Sequence, residues 1–152
     1  MRFNIYSAEK NVIHLGIILL CLAFIPALTV AADSDSEEGS LLAAARQYFS
    51  AEIRKDYSCV YESLSPSSEY KRSHSYKKYL EEALTSSHSI SEYRIIDITY
   101  ITGNEDRTKY PGIEKFAQIE VEVVLFFKDT GKYSEFNIGF IFTKEGGKWY
   151  KS

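Results

Sequence analysis

The chain has 152 residues, 45% of them hydrophobic and 26% charged, with a formal net charge of −3. That length fits one domain with room for a processed end, and the balance excludes both a disordered chain and a multi-span membrane protein. Three prolines and eight glycines exclude fibres, two cysteines exclude a disulfide scaffold or a four-cysteine zinc site, and the acidic balance argues against nucleic acid, whose phosphates need a basic face.

In chain order, an apolar run comes first. From Val12 to Ala32 only His14 is ionisable, and Arg2 and Lys10 precede a core, Leu15 to Ile25, that is apolar throughout. Pro26 breaks it, and Val30 and Ala32 put small side chains at the two positions a signal peptidase reads before Asp33. The reading is a cleaved signal peptide over residues 1–32, a flexible acidic linker over 33–39 and a domain over 40–152. It implies a secreted or periplasmic protein. The alternative is an uncleaved single-pass anchor, since Val12 to Ala32 is long enough to span a bilayer. No other segment suggests contact with a membrane.

Helices follow. Leu41, Ala45, Tyr48, Phe49, Glu52 and Ile53 share one helical face, with Ser36 or Ser40 as the cap and Glu37 and Glu38 at the positive end. Asp56 starts a second, shorter helix with Tyr57, Val60, Tyr61 and Leu64 as its stripe, and the residue before Pro66 ends it. Cys59 lies on that stripe, where it serves as a small buried hydrophobe, an intermolecular disulfide being the alternative. A third helix capped by Ser73 or Ser75 carries Tyr76, Tyr79, Leu80, Ala83 and Leu84 on one face.

The period then switches to two. Tyr93 to Thr102 is rich in β-branched and aromatic residues. On this strand the face of Ile96, Ile98 and Tyr100 is the expected core face, which turns Asp97 to solvent. Lys115 to Lys128 and Lys132 to Lys144 form a long hairpin around Asp129-Thr130-Gly131, and Lys148 to Lys151 closes the chain as a short strand. Helices first and an antiparallel meander second predict an α+β fold.

The Leu41–Lys55 helix, the short Tyr57–Pro66 segment, the Ser75-Tyr76-Lys77-Lys78-Tyr79-Leu80 opening, the long hairpin and the Gly147-Lys148-Trp149-Tyr150-Lys151 close together resemble the nuclear transport factor 2-like superfamily, the cystatin-like α+β cone. The resemblance implies three N-terminal helices packed on a strongly curved antiparallel sheet, with a conical pocket between them. It implies no single function, because the superfamily holds isomerase- and dehydratase-type enzymes beside non-catalytic modules. Its enzymes place an aspartate or histidine in the pocket with a tyrosine donor.

On that frame Asp97 and His88 are the weak catalytic candidates, as a base near an acidic substrate proton. Twelve tyrosines are many for this length, and Tyr48, Tyr61, Tyr79, Tyr93, Tyr100 and Trp149 are the candidate lining of an aromatic ligand pocket. Val124 and Phe126, apolar on the strand face opposite Leu125 and Phe127, are the candidate interface of a homodimer. His74 and His88 have no acidic neighbour at ligand spacing, so no metal is expected, and no motif asks for a cofactor. The sequence thus points to an exported module that binds a small amphipathic ligand or a protein. The alternative is a small isomerase or dehydratase with a pocket Asp or His base and a Tyr donor.

Overall fold

A computed structural model of the chain describes residues 36–152. The expected signal segment and the start of the acidic linker lie outside them. Four helices, α1 (Glu37–Arg54), α2 (Tyr57–Glu62), α3 (Glu69–Ser73) and α4 (Tyr76–Thr85), precede four strands, β1 (His88–Gly103), β2 (Ile113–Phe127), β3 (Lys132–Glu145) and β4 (Lys148–Lys151). The strands form one antiparallel sheet in sequence order. The α+β architecture with N-terminal helices on a curved antiparallel sheet is therefore the fold. No helix among the described residues is long and apolar enough to cross a membrane.

Local chemistry sets each helix end. The Ser36 hydroxyl accepts from the Gly39 N–H at 2.9 Å and starts α1, and Lys55 ends it in the left-handed region at φ 57°. The linker is accordingly shorter than the sequence suggested, because residues 37–39 are the first turn of α1. Glu37 is the reason: its carboxylate receives the ammonium groups of both Lys115 and Lys144, which pins that turn to the sheet. These hydrogen bonds hold the Glu37 carboxyl below the usual glutamate range. Asp56 and Ser75 cap α2 and α4 as their side chains predict. Between the expected second and third helices lies the additional helix α3, which Ser68 caps, accepting from the Lys71 N–H at 3.2 Å.

The core joins one stripe of α1 to the inner sheet face. Leu41, Ala45 and Phe49 pack with Ala117, Ile119, Val121 and Phe142, all fully buried. The odd positions of β2 face inward as the alternation requires. On β1 the expected core face holds only at Ile98. Ile96 and Tyr100 are 42% and 41% exposed, whereas Tyr93, Ile95, Ile98 and Ile101 pack on the core. Register shifts between Ile95 and Asp97 and between Ile98 and Tyr100 insert a residue each, and every insertion flips the alternation beyond it. Such bulges also bend the strand, so the feature that spoils the simple period helps to curve the sheet.

Candidate functional site

The hairpin of β2 and β3 is longer than the helix laid against it. The 18 residues of α1 rise about 27 Å, while the 15 residues of β2 extend about 50 Å. Where α1 stops, a cavity of about 450 Å³ remains between its last turns, α4 and the inner sheet face. One wall is apolar, built from Val123, Leu125, Ile138 and Phe140. The facing wall is polar and aromatic, with Tyr48 and Glu52 from α1, Tyr70 from α3, and Tyr79 and Glu82 from α4. His88, Ser86, Lys55 and Lys128 rim it.

Glu52 is the centre of this site. It sits one turn after Tyr48, and the Tyr48 hydroxyl donates to its Oε1 at 2.8 Å. Burial raises the Glu52 carboxyl above its ordinary value, against the hydrogen bond from Tyr48, which lowers it. Tyr48 itself is pushed well up, first by burial and then by the neighbouring Glu52 charge. Tyr79 rises for the same two causes. The site therefore pairs a carboxyl displaced toward neutrality with two phenols held as donors, an arrangement able to bind or move a proton.

A second carboxylate braces the wall. The Tyr70 hydroxyl donates to Glu82 Oε2 at 2.7 Å, and Glu82 Oε1 lies 3.5 Å from Lys78 Nζ and 3.6 Å from His74 Nε2. The bond from Tyr70 keeps Glu82 low, and burial with the Glu82 bond raises Tyr70 to about 12. His74 stacks flat on Tyr70 at 4.3 Å between ring centres. Glu82 is thus committed to holding α3 on α4, which leaves Glu52 as the cavity's available carboxyl.

The sequence-derived candidates separate clearly. Tyr48 and Tyr79 line the cavity, and His88 stands at its rim. Asp97 does not: it is exposed on β1, and its Oδ1 accepts the Ile98 N–H at 2.8 Å. Tyr61 lies behind the wall, donating to the His74 carbonyl at 2.8 Å and packing on Tyr76 and Tyr79. Tyr93 is in the core, stacked on Phe49 with its hydroxyl 3.2 Å from Ser50 Oγ. Tyr100 is on the exposed flank of β1. Trp149 is buried at the opposite end of the sheet, with the Lys144 ammonium 5.9 Å from its ring centre. Val124 and Phe126 are half-buried on the outer sheet face, Phe126 against Tyr133 at 5.0 Å. The half-buried Cys59 thiol is free and packs against the core beside the Gln47 amide at 3.6 Å.

Glu52, Tyr70 and Glu82 were missed. A signal for Glu52 existed: it is the single carboxylate on the apolar stripe of α1, at the spacing that puts it beside Tyr48. Among the described residues no three His, Cys, Asp or Glu side chains converge as a metal site.

No family model and no curated protein matches the chain. Solved structures similar to it include the following two. One is an NTF2-like protein of unknown function from Prochlorococcus sp. NATL2A, at 11% identity and a TM-score of 0.48, covering 76% of this chain and 88% of that one. The other is a ketosteroid isomerase-like protein from Erwinia carotovora atroseptica SCRI1043, at 18% identity and a TM-score of 0.47, covering 76% of this chain and 92% of that one. At these identities neither assigns a role to any residue.

Proposed function

We propose that the protein is an exported module that holds a small amphipathic ligand in the cavity beyond α1. The volume of about 450 Å³ falls within the range of small-molecule sites, roughly 300–1,000 Å³. Its two unlike walls suit a ligand with an apolar body and a hydroxyl or amine. The observation that carries the reading is Glu52, a carboxyl on a core-facing helical stripe that opens into a void rather than into packed side chains. A group of that kind is costly to bury and gains most from a ligand donor.

Decanol, decylamine and decanoate serve as probes of one chain length and three head groups. The first two are expected to raise the melting temperature of the protein, and Glu52→Ala to abolish that rise. Indifference to all three probes, with no ligand retained in native mass spectrometry, sinks the reading. Export is tested separately: a mature N-terminus at Asp33 supports a cleaved leader, and retention of Met1 in the membrane fraction supports the anchor.

The raised Glu52 carboxyl favours a second reading, proton transfer next to a carbonyl, with Glu52 as base and Tyr79 as donor to the developing oxyanion. Asp97 is set aside as that base by its exposure. Cyclohexanone in deuterated buffer is the probe. Enzyme-dependent exchange of its α-protons, lost in Glu52→Gln, supports catalysis, and no exchange above buffer leaves binding as the function.

A further inference from the structure

The cavity beyond α1 changes its charge along its length. At the core end Glu52 accepts the Tyr48 hydroxyl through Oε1, and the Tyr79 hydroxyl is near enough to feel the Glu52 charge. Among the described residues no hydrogen bond engages Glu52 Oε2 or the Tyr79 hydroxyl. A ligand hydroxyl can donate to the first and accept from the second at once, which a protonated amine cannot do.

At the mouth two ammonium groups take over. Lys55 ends α1, and Lys128 follows the last residue of β2, fixed there because its N–H donates to the Ser87 carbonyl at 2.8 Å. Each lysine has an aspartate as its chain neighbour, and each aspartate is held by a backbone N–H. Asp56 accepts from Cys59 at 3.2 Å as the cap of α2, and Asp129 accepts from Thr130 at 2.9 Å in the hairpin turn. No ion pair engages Lys55 or Lys128 among the described residues. Nor does either ammonium contribute to the displaced Glu52 carboxyl, which burial and Tyr48 account for, so the two charged poles are apart. Val123 at the core end and Lys128 at the mouth are separated by roughly 16 Å of strand. The mouth stays open because β4 pairs with β3 only from Phe142 to Glu145, so β3 from Lys132 to Phe140 has no outer backbone partner among the described residues.

We propose that the ligand is a hydroxy acid. Its anionic head group lies at the mouth with Lys55 and Lys128, its apolar chain along Leu125 and Ile138, and its hydroxyl at the core end between Glu52 and Tyr79. This names the class of molecule and rests on the reading of the cavity as a ligand site. The reverse orientation puts the anion beside Glu52 in a partly dehydrated space, where like charges repel. A chain without the head group leaves both ammonium groups unmatched, and one without the hydroxyl sets a methyl end against a carboxyl and two phenols. Both lysines are exposed, so their pull on the head group is screened by salt.

Equilibrium dialysis of 10-hydroxydecanoate, decanol and decanoate tests this, using protein purified from cells that express the full chain. In low salt 10-hydroxydecanoate is expected to bind about tenfold more tightly than decanol, and high salt to erase the difference. Lys55→Gln combined with Lys128→Gln is expected to bring it down to the decanol value. Lys148→Gln removes the same charge from β4, away from this cavity, and is expected to leave the advantage intact. Tyr79→Phe is expected to narrow the gain over decanoate. The three lysines are exposed, and unchanged circular dichroism spectra show that these variants keep the fold. Equal affinity for decanol and 10-hydroxydecanoate overturns the hydroxy acid and leaves the ligand site standing. So does an advantage that survives in the double lysine variant. Failure of all three probes to bind removes the ligand site itself, and the hydroxy acid with it.

Discussion

The two ends of the sheet are made from the same strands and behave as different materials. At one end α1 lies across β2 and β3, Leu41, Ala45, Ala117 and Phe142 are fully buried, and Glu37 locks the helix start to Lys115 and Lys144. At the other end α1 has run out, and Leu125, Ile138 and Phe140 face a cavity lined by tyrosines and two glutamates. The difference teaches that the site is a matter of length. A helix rises about 1.5 Å per residue and a strand about 3.3 Å, so a long hairpin outlasts the helix that covers it. The uncovered remainder becomes a cavity, and its polar groups are tolerated because packing there is incomplete.

Truncations at the two ends sharpen this contrast most strongly. Phe142→Ala at the closed end is expected to cost about 3–5 kcal/mol in urea unfolding, because the surrounding side chains cannot collapse into the space. Leu125→Ala, at a half-buried side chain that lines the cavity, is expected to cost about 1 kcal/mol. Equal losses would break the contrast.

Next in size is Tyr48→Phe, expected to cost about 1 kcal/mol through loss of the hydroxyl donated to Glu52. The same change removes the one interaction that lowers the Glu52 carboxyl, so carbon-13 titration should place its protonation at higher pH than in the wild type.

Glu37→Gln follows, at up to about 1 kcal/mol in low salt and less in high salt, since the three side chains are partly exposed. Glu37 is held below the ordinary 4.5, so the folded state binds fewer protons than the unfolded state there. Its contribution is present above pH 4.5 and lost as pH falls through the lowered value. Wild type and variant should converge in strong acid.

The smallest expected effect has the opposite sign. Glu52 is raised above 4.5, so the folded state holds its proton longer, and stability falls as pH rises from 4.5 through the raised value. Glu52→Gln removes that loss. Urea midpoints should be higher for the variant near neutral pH and coincide with the wild type below pH 4.5. A variant that is weaker at neutral pH would contradict a destabilising carboxyl in the cavity.

Much of the fold could be read from local rules. Ser36, Asp56 and Ser75 start helices because their side chains accept orphan N–H groups, and Gly131, at φ 65°, lies at the hairpin turn named in advance. The β2 alternation was legible because no bulge disturbs its inner face from Ala117 to Val123. β1 was not, because a bulge depends on how a partner strand is met, which one strand's pattern does not record. Among the site candidates, Tyr48, Tyr79 and His88 reach the cavity, whereas Tyr61, Tyr93, Tyr100 and Trp149 are equally plausible tyrosines and tryptophan by composition and lie elsewhere. Glu52 was overlooked because a carboxylate in an apolar stripe reads as an interruption until the space in front of it is known.

By itself the sequence determined the order of the elements apart from α3, the caps of α2 and α4 and the inward face of β2, since caps, turns and undisturbed alternation act within a few residues of the chain. Only the tertiary structure decided that Glu52 faces a void, that Asp97 does not, and that the β3 edge from Lys132 to Phe140 stays open among the described residues. Those outcomes depend on where α1 and β4 stop relative to a hairpin tens of residues away, a comparison of lengths made in space and not along the chain.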